Sequence, residues 1–180
     1  MTANECITGR RSIRRFKADP VSHETLSAIV TTAAYAPSWK NTQVTRYIAV
    51  ETPELKSRVA AQATADFPHN AEIINNAPLL VVVTMIKGRS GYERDGSFST
   101  SKGDRWQTFD AGIATECFCL AAHEQGLGTV IMGIFDEKKV VELLQIPDNQ
   151  EVAALIAVGY ADESPEAPKR KTVDELLSYQ

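Results

Sequence analysis

Residues 104–126, DRWQTFDAGIATECFCLAAHEQG, carry the longest helical pattern in the chain. Apolar side chains recur at helical spacing from Trp106 to Leu120, and Gly126 is a typical residue to end the helix. Only three residues between 109 and 122 are distinctly polar: Asp110, Thr115 and Glu116. Because a helix that is apolar nearly all round must be buried on most sides, the segment predicts a central helix or one packed against a second subunit.

On both sides of this helix, strand patterns and helix patterns alternate. Leu79–Val83 is apolar on both faces, which is typical of a central strand, and further strands are predicted at 47–50 and 152–160. The helix after Ser22 has an apolar stripe and must end before Pro37. Two other residues are predicted to cap helices, Thr52 and Asp136.

Few strands among several helices predict an α+β fold, with a small sheet flanked by helices. No internal repeat or linker divides the sequence, so we expect residues 1–180 to form a single domain. We expect two segments to lie outside the core: a polar, glycine-bearing loop at about 87–105 and an extended C-terminal arm at about 165–180.

The composition excludes some function classes. The 180 residues include 19 Lys and Arg against 23 Asp and Glu, a net charge of −4, which argues against a dedicated nucleic-acid-binding protein. The near-continuous apolar run Leu79–Ile86 is far shorter than a membrane span, and residues 1–6 show no signal-peptide pattern. These features predict a cytoplasmic protein.

Cysteine and histidine positions do not suggest a metal site or a disulfide scaffold. Cys117 and Cys119 lie two apart in the long helix pattern, where their side chains point away from each other. The three histidines are far apart in the sequence, and neither H-E-x-x-H nor C-x-x-C occurs.

The segment of residues 10–17, RRSIRRFK, which we call the arginine segment, places five cations in eight residues of an acidic chain. Arginine forks around the Ser12 hydroxyl suit a phosphate dianion, which accepts several charge-assisted hydrogen bonds. A solvated basic patch, or a patch that binds nucleic acid, is the alternative. Ile13 and Phe16 interrupt the charges with apolar anchors, which favours the phosphate site.

Two further segments have polar or glycine-rich character. Residues 36–43, APSWKNTQ, follow the helix predicted after Ser22, and we call them the Trp39 turn. They form either a simple connection or a binding site, in which Asn41 and Gln43 would bind the edge of a heterocycle and Trp39 would stack on it. Residues 126–133 contain three glycines but lack the dinucleotide and P-loop signatures. There, Gly133 would allow a flat ligand to approach the backbone closely.

Residues 87–105, the 87–105 loop, form a long polar stretch with four glycines and the aromatic residues Tyr92 and Phe98. Long loops of this kind in compact domains are usually lids, binding loops or disordered segments. The sequence does not decide between a substrate lid and a mobile loop.

Taken together, these segments resemble the nitroreductase family of flavoproteins over most of the chain. The resemblance depends on the order and spacing of seven short motifs: RRSIR at 10–14, A-P-S-x-x-N-x-Q at 36–43, D-x-G at 110–112, G-L-G at 126–128 with Gly133, I-P at 146–147, V-G-Y at 158–160 and K-R-K at 169–171.

The resemblance implies a fold, a cofactor and an assembly. Family members have a central, mainly antiparallel sheet surrounded by helices, bind FMN, and take electrons from NADH or NADPH. They form intertwined homodimers with two flavin sites at the interface. The expected partners of this chain are therefore a second copy, NADH or NADPH, and a small aromatic electron acceptor.

The resemblance also assigns residues. Arg10, Arg11, Ser12 and Arg170 would bind the FMN phosphate, and Arg14 would lie toward the pyrimidine edge of the ring and favour its reduced form. Four residues would come from the other subunit: Pro37, Ser38, Trp39 and Asn41. Backbone at Ile131, Met132 and Gly133 would cover the other side of the ring, so no catalytic side chain is expected, because the flavin carries the chemistry.

This sequence departs from the family at two positions, which bear on its substrates. Gln43 is followed by Val44 and Thr45 where relatives often have Pro-Trp, and Trp39 stands where a small residue is common. Trp39, Tyr92 and Phe98 are our candidates for the walls of the open flavin face. A single open face predicts ping-pong kinetics, with nitroaromatics, quinones or related compounds as acceptors.

The sequence also allows other functions. Within the family, the chain could act in reductive dehalogenation. Outside it, the chain could be a flavin-binding storage or sensing protein without turnover, or an anion-binding module that uses the arginine segment.

Overall fold

The computed structural model describes all 180 residues and contains four strands and seven helices. The strands are β1 (Thr45–Val50), β2 (Leu79–Ile86), β3 (Gly128–Met132) and β4 (Gln150–Gly159). The helices are α1 (Ala3–Gly9), α2 (His23–Ala33), α3 (Pro53–Gln62), α4 (Pro68–Asn76), α5 (Arg105–Glu124), α6 (Glu137–Leu144) and α7 (Val173–Leu176).

The four strands form one sheet in the order β1-β2-β4-β3, and every neighbouring pair is antiparallel. Val82 of β2 pairs with Ile48 on one side and with Leu155 on the other. The prediction of an α+β fold with an antiparallel sheet is confirmed. The apolar Leu79–Val83 run is central, as expected for a strand with two buried faces.

Alternation along β2 divides the core into two layers. Leu80 and Val82 face one cluster, to which α3, α4 and α6 contribute, whereas Val81 and Val83 face the other, to which α2 and α5 contribute. Successive residues of a strand point to opposite faces, so a strand buried on both sides favours apolar residues at every position. The sheet is therefore covered by helices on both faces.

Two of the three predicted caps form hydrogen bonds, whereas Thr52 occupies the N-cap position of α3 without a side-chain hydrogen bond. The Ser22 hydroxyl accepts a hydrogen bond from the Thr25 amide at 3.1 Å at the start of α2. The Asp136 carboxylate accepts one from the Lys139 amide at 3.2 Å at the start of α6. That helix ends at Gln145 in the left-handed region, with φ of 52°, two residues before Pro147.

Some elements are not predicted by the sequence pattern. Residues 128–132, part of the glycine-rich segment, form the edge strand β3, which is too short and glycine-flanked to give a strand pattern. Helix α1 gives a weak pattern because it is only seven residues long, and α4 because proline and asparagine make up four of its nine residues.

The long helix α5 is buried less completely than its composition suggests. One face lies in the core, but Phe109 is 57% exposed, Gly112 is exposed and Ile113 is half-buried on the other face. The C-terminal arm is exposed almost throughout, apart from the half-buried Pro165, and includes the one-turn helix α7. None of the helices combines the length and the apolar character needed to cross a membrane.

Candidate functional site

The arginine segment lies along the free edge of β3. Ser12 forms a parallel bridge with Thr129, and the Ile13 amide donates to the Thr129 carbonyl at 2.9 Å. Further along, the Lys17 amide donates to the Tyr160 carbonyl at 2.9 Å. Ile13 and Phe16 are buried, at 7% and 4% exposure. Two apolar anchors therefore hold a run of cations at the sheet edge.

Most of these cations have no acidic partner. Arg10 is the exception, because its buried Nε forms an ion pair with Glu116 Oε1 at 3.5 Å, without the geometry of a hydrogen bond. Glu163 accepts from the backbone amides of Arg14 and Arg15 rather than from their guanidinium groups. The cations without an ion pair are Arg11, Arg14, Arg15 and Lys17. The segment thus leaves positive charge available to an anion in an otherwise acidic chain.

The C-terminal end of β3 offers backbone and open space. Met132 is buried and Ile131 is 44% exposed. A methyl group added to Gly133 would contact no atom within 4 Å, so the surface beside this glycine is free. Arg10, Arg11 and Ser12 flank the beginning of β3, and Ile131, Met132 and Gly133 form or follow its end. One chain therefore brings these two predicted groups to the same strand.

The Trp39 turn precedes β1 and has a strained backbone. Lys40, Asn41 and Gln43 have φ of 44°, 56° and 47°, in the left-handed region that residues with a Cβ seldom adopt. The Ser38 hydroxyl accepts from the Gln43 amide at 3.0 Å, and the Gln43 side chain donates to Asn41 Oδ1 at 3.2 Å. Backbone strain of this kind is common at functional sites.

Asp110 of α5 anchors this turn. Its Oδ2 accepts a hydrogen bond from the Trp39 amide at 2.9 Å and another from the Ser90 hydroxyl at 2.6 Å. Asp110 is 3% exposed and Ser90 is fully buried. In the sequence, Asp110 stands out only as part of a motif and as one of three polar residues in an apolar helix. That isolation is the available signal, because a buried carboxylate needs donors.

The 87–105 loop packs against the Trp39 turn. Lys40 forms an ion pair with Glu93 of the loop at 3.0 Å, and just after the loop, at the start of α5, the Trp106 ring has its centroid 4.9 Å from that of Trp39. Tyr92 and Phe98 pair with each other across an isolated bridge, with centroids also 4.9 Å apart. The loop is thus a series of turns joined to the site. The Trp39 ring packs against Trp106 at a tilt of 41°, whereas Tyr92 and Phe98, the two residues predicted to share the open face with it, pack against each other.

Two further predicted groups lie elsewhere. Pro37 and Ser38 border a cavity of about 400 Å³ between α2, β1 and α5, which Asp110 also lines. Arg170 lies exposed in the arm and forms no ion pair, so the chain does not join it to the arginine segment.

The two halves of the predicted site lie at opposite edges of one chain's sheet. The arginine segment borders β3, whereas the Trp39 turn leads into β1, and three strand spacings separate these edges, about 14 Å. Each half contains buried polar atoms without a hydrogen bond: Arg10 Nε, which has only the ion pair with Glu116, in one, and Trp39 Nε1 and Thr42 Oγ1 in the other. Both halves therefore have polar groups that the chain itself does not satisfy.

Comparisons with known proteins agree on one family. A sequence profile described as the nitroreductase family matches residues 7–160. The crystal structure of a nitroreductase family protein from Clostridium novyi NT has a TM-score of 0.77 and 32% identity, covering 93% of this chain and 89% of that chain. An FMN-dependent nitroreductase from Clostridium difficile R20291 has a TM-score of 0.74 and 29% identity, with coverages of 98% and 95%. An NADH dehydrogenase of Thermus thermophilus is 28% identical over 177 residues, 86% of this chain and 84% of the relative.

Proposed function

Because the chain belongs to the nitroreductase family, we propose that it is an FMN-dependent oxidoreductase that takes a hydride from NADH or NADPH and reduces an electron-poor aromatic acceptor. Nitroaromatics and quinones are the acceptors that this proposal favours. Relatives described as an FMN-dependent nitroreductase and as an NADH dehydrogenase support the cofactor and the electron donor.

The observation that carries the proposal is the unpaired positive charge of the arginine segment. A phosphate dianion would accept hydrogen bonds from Arg10, Arg11 and the Ser12 hydroxyl, and of the five cations only Arg10 has an acidic partner, Glu116. The backbone amides of Arg11 and Ser12 also donate to no group within the chain. These donors fit the phosphate of FMN, and the free surface beside Gly133 fits its flat ring.

Two copies of the chain would complete the site. The exposed face of α5 presents Phe109 and Ile113 around Gly112, where the missing side chain would let a second backbone approach closely. The exposed arm also carries large apolar side chains with nothing to cover them: Val173, Leu176, Leu177 and Tyr179. A homodimer with exchanged arms would bury both surfaces and bring the Trp39 turn of one copy to the arginine segment of the other.

FMN, when bound, supplies the hydride-accepting and electron-donating chemistry. The residues of this chain bind the phosphate, orient the ring and exclude water from it. Arg14 at the pyrimidine edge would favour the reduced, negatively charged ring. Backbone at Ile131 to Gly133 would cover one face, while Trp39, Tyr92 and Phe98 would border the open one, so donor and acceptor would alternate there in ping-pong fashion.

Binding of FMN and riboflavin to Arg10→Ala tests the phosphate assignment. Loss of a charge-assisted contact typically costs about 1.5–3 kcal/mol, so FMN should bind roughly ten- to a hundredfold more weakly. Riboflavin, which lacks the phosphate, should bind nearly as well as it does to the wild type. The exposed Arg58 on α3 provides the control, since Arg58→Ala should leave both affinities unchanged. An equal loss of both ligands in Arg10→Ala would contradict the assignment.

A further inference from the structure

The Trp39 turn adopts a conformation that its own sequence disfavours. Three of its residues are left-handed without being glycine: Lys40, Asn41 and Gln43. Side chains with a Cβ resist this region, so contacts from outside the turn must hold it in place. The hydrogen bond between Ser38 and Gln43 closes the turn, but it does not attach the turn to the rest of the fold.

Asp110 makes the buried part of that attachment, beside the exposed ion pair between Lys40 and Glu93, and does so at an energetic cost. Its carboxylate is 3% exposed and has no cation within ion-pair distance. Burial of a charge without a counter-ion is unfavourable unless hydrogen bonds compensate. The two hydrogen bonds that Oδ2 accepts come from the Trp39 amide and from Ser90, one in the turn and one in the 87–105 loop.

A second observation is that the chain does not satisfy all the buried polar atoms of the turn. Trp39 Nε1 and Thr42 Oγ1 are buried, yet neither has a hydrogen-bond partner. Both atoms belong to residues within three positions of the amide that Asp110 binds. The turn is strained, it is anchored by a carboxylate without a counter-ion, and it keeps unsatisfied polar atoms. These features suit the binding of a ligand rather than the stability of the turn itself.

We propose that Asp110 is a positioning residue for the ring side of the cofactor site, with Ser90 fixing the orientation of its carboxylate. Asp110 holds the Trp39 turn in the conformation that a flavin bound mainly by a second copy requires, and it does not itself touch the phosphate. This inference rests on the proposed function. It also explains why a costly buried charge is kept in an otherwise apolar helix.

Flavin titrations of Asp110 variants test this role. Asp110→Ala should weaken FMN and riboflavin by the same factor, roughly ten- to a hundredfold, because the substitution disturbs only the ring side of the site. Arg10→Ala should weaken the binding of FMN but not that of riboflavin, so riboflavin binding distinguishes a failure of this inference from a failure of the phosphate assignment. Asp110→Asn should bind both flavins within about threefold of the wild type, since its amide oxygen can still accept both hydrogen bonds. Thr115→Ala, which shortens another buried polar residue of α5, is the control.

A second readout does not need the flavin. The Trp39 and Trp106 rings are close enough to couple, so near-ultraviolet circular dichroism of the cofactor-free protein should contain a signal that Trp39→Phe removes. Asp110→Ala should lose the same signal, and Asp110→Asn should keep it.

Two results would overturn the inference: a folded Asp110→Ala that binds both flavins like Thr115→Ala, or one that keeps the Trp39 signal. If Asp110→Ala does not fold, Ser90→Ala decides, and it must weaken both flavins equally for the inference to stand. Failure of the wild type to bind FMN would defeat the proposed function itself, and the inference with it.

Discussion

Two glycines at the ends of β3 illustrate how single residues separate stability from binding. A Cβ at Gly128 would lie 2.7 Å from Ile13 Cβ and Cγ1, whereas one at Gly133 would meet open space. Gly128→Ala should therefore lower the free energy of unfolding by about 1–3 kcal/mol, as overpacking does. Gly133→Ala should keep the wild-type stability and weaken FMN binding. Thermal unfolding and flavin titration of both variants check this, and equal stability losses would contradict it.

The buried thiol of Cys119 should make stability depend on alkaline pH. Burial raises the pKa of this thiol from its ordinary 9.0 to about 11. Above pH 9 the unfolded chain loses the proton while the folded chain keeps it, so the free energy of unfolding should fall by up to about 1.4 kcal/mol per pH unit until pH 11. Cys119→Ala should remove this contribution. Denaturant unfolding between pH 8 and 10.5 measures it, and parallel curves for the two proteins would exclude it.

Single residues are predictable from the sequence where they break a pattern. The arginine segment stands out because five cations in an acidic chain are unusual, and Ile13 and Phe16 indicate that it is anchored. The partners of those residues are not predictable. That Asp110 binds the Trp39 amide depends on a contact between positions 71 residues apart, which no local spacing encodes.

At the scale of elements, the exposed face of α5 should control assembly. Phe109 is 57% exposed beside Gly112, and we expect it to be buried against a second copy. Phe109→Asp should convert the dimer to a monomer, because a buried unpaired charge is costly in an interface. Phe67→Asp is the control, since Phe67 is also an exposed phenylalanine but lies at the start of α4, outside the proposed interface. Light scattering at micromolar concentration measures the mass, and a wild-type monomer would contradict the prediction.

Elements with strong periodicity or capping are predicted correctly, and weakly patterned ones are not. β2 and α5 are long and apolar, and Ser22 and Asp136 cap their helices as expected. The sequence does not predict β3, because its five residues are recognisable as a strand only through their pairing with β4. Its position matters most for the site, since it brings the arginine segment and Gly133 together.

At the scale of the whole molecule, the proposed site needs two chains. The sheet order separates the two halves of the site within one chain, and the sequence could not show this because it does not encode which strands form the edges. The homodimer remains a prediction from the family resemblance, now supported by the exposed face of α5 and by the uncovered apolar side chains of the arm.

Anaerobic double mixing of the FMN-loaded protein tests the central claim, an enzyme that passes electrons from nicotinamide to an acceptor. The first mixing, with NADH or NADPH alone, should bleach the visible flavin absorption, and the second, with a quinone or a nitroaromatic, should restore it. Steady-state rates should then give parallel double-reciprocal lines, because one open face serves both substrates in turn. A protein that binds FMN but shows no bleaching with either nicotinamide would be a flavin-binding protein without turnover, and the proposed activity would be wrong.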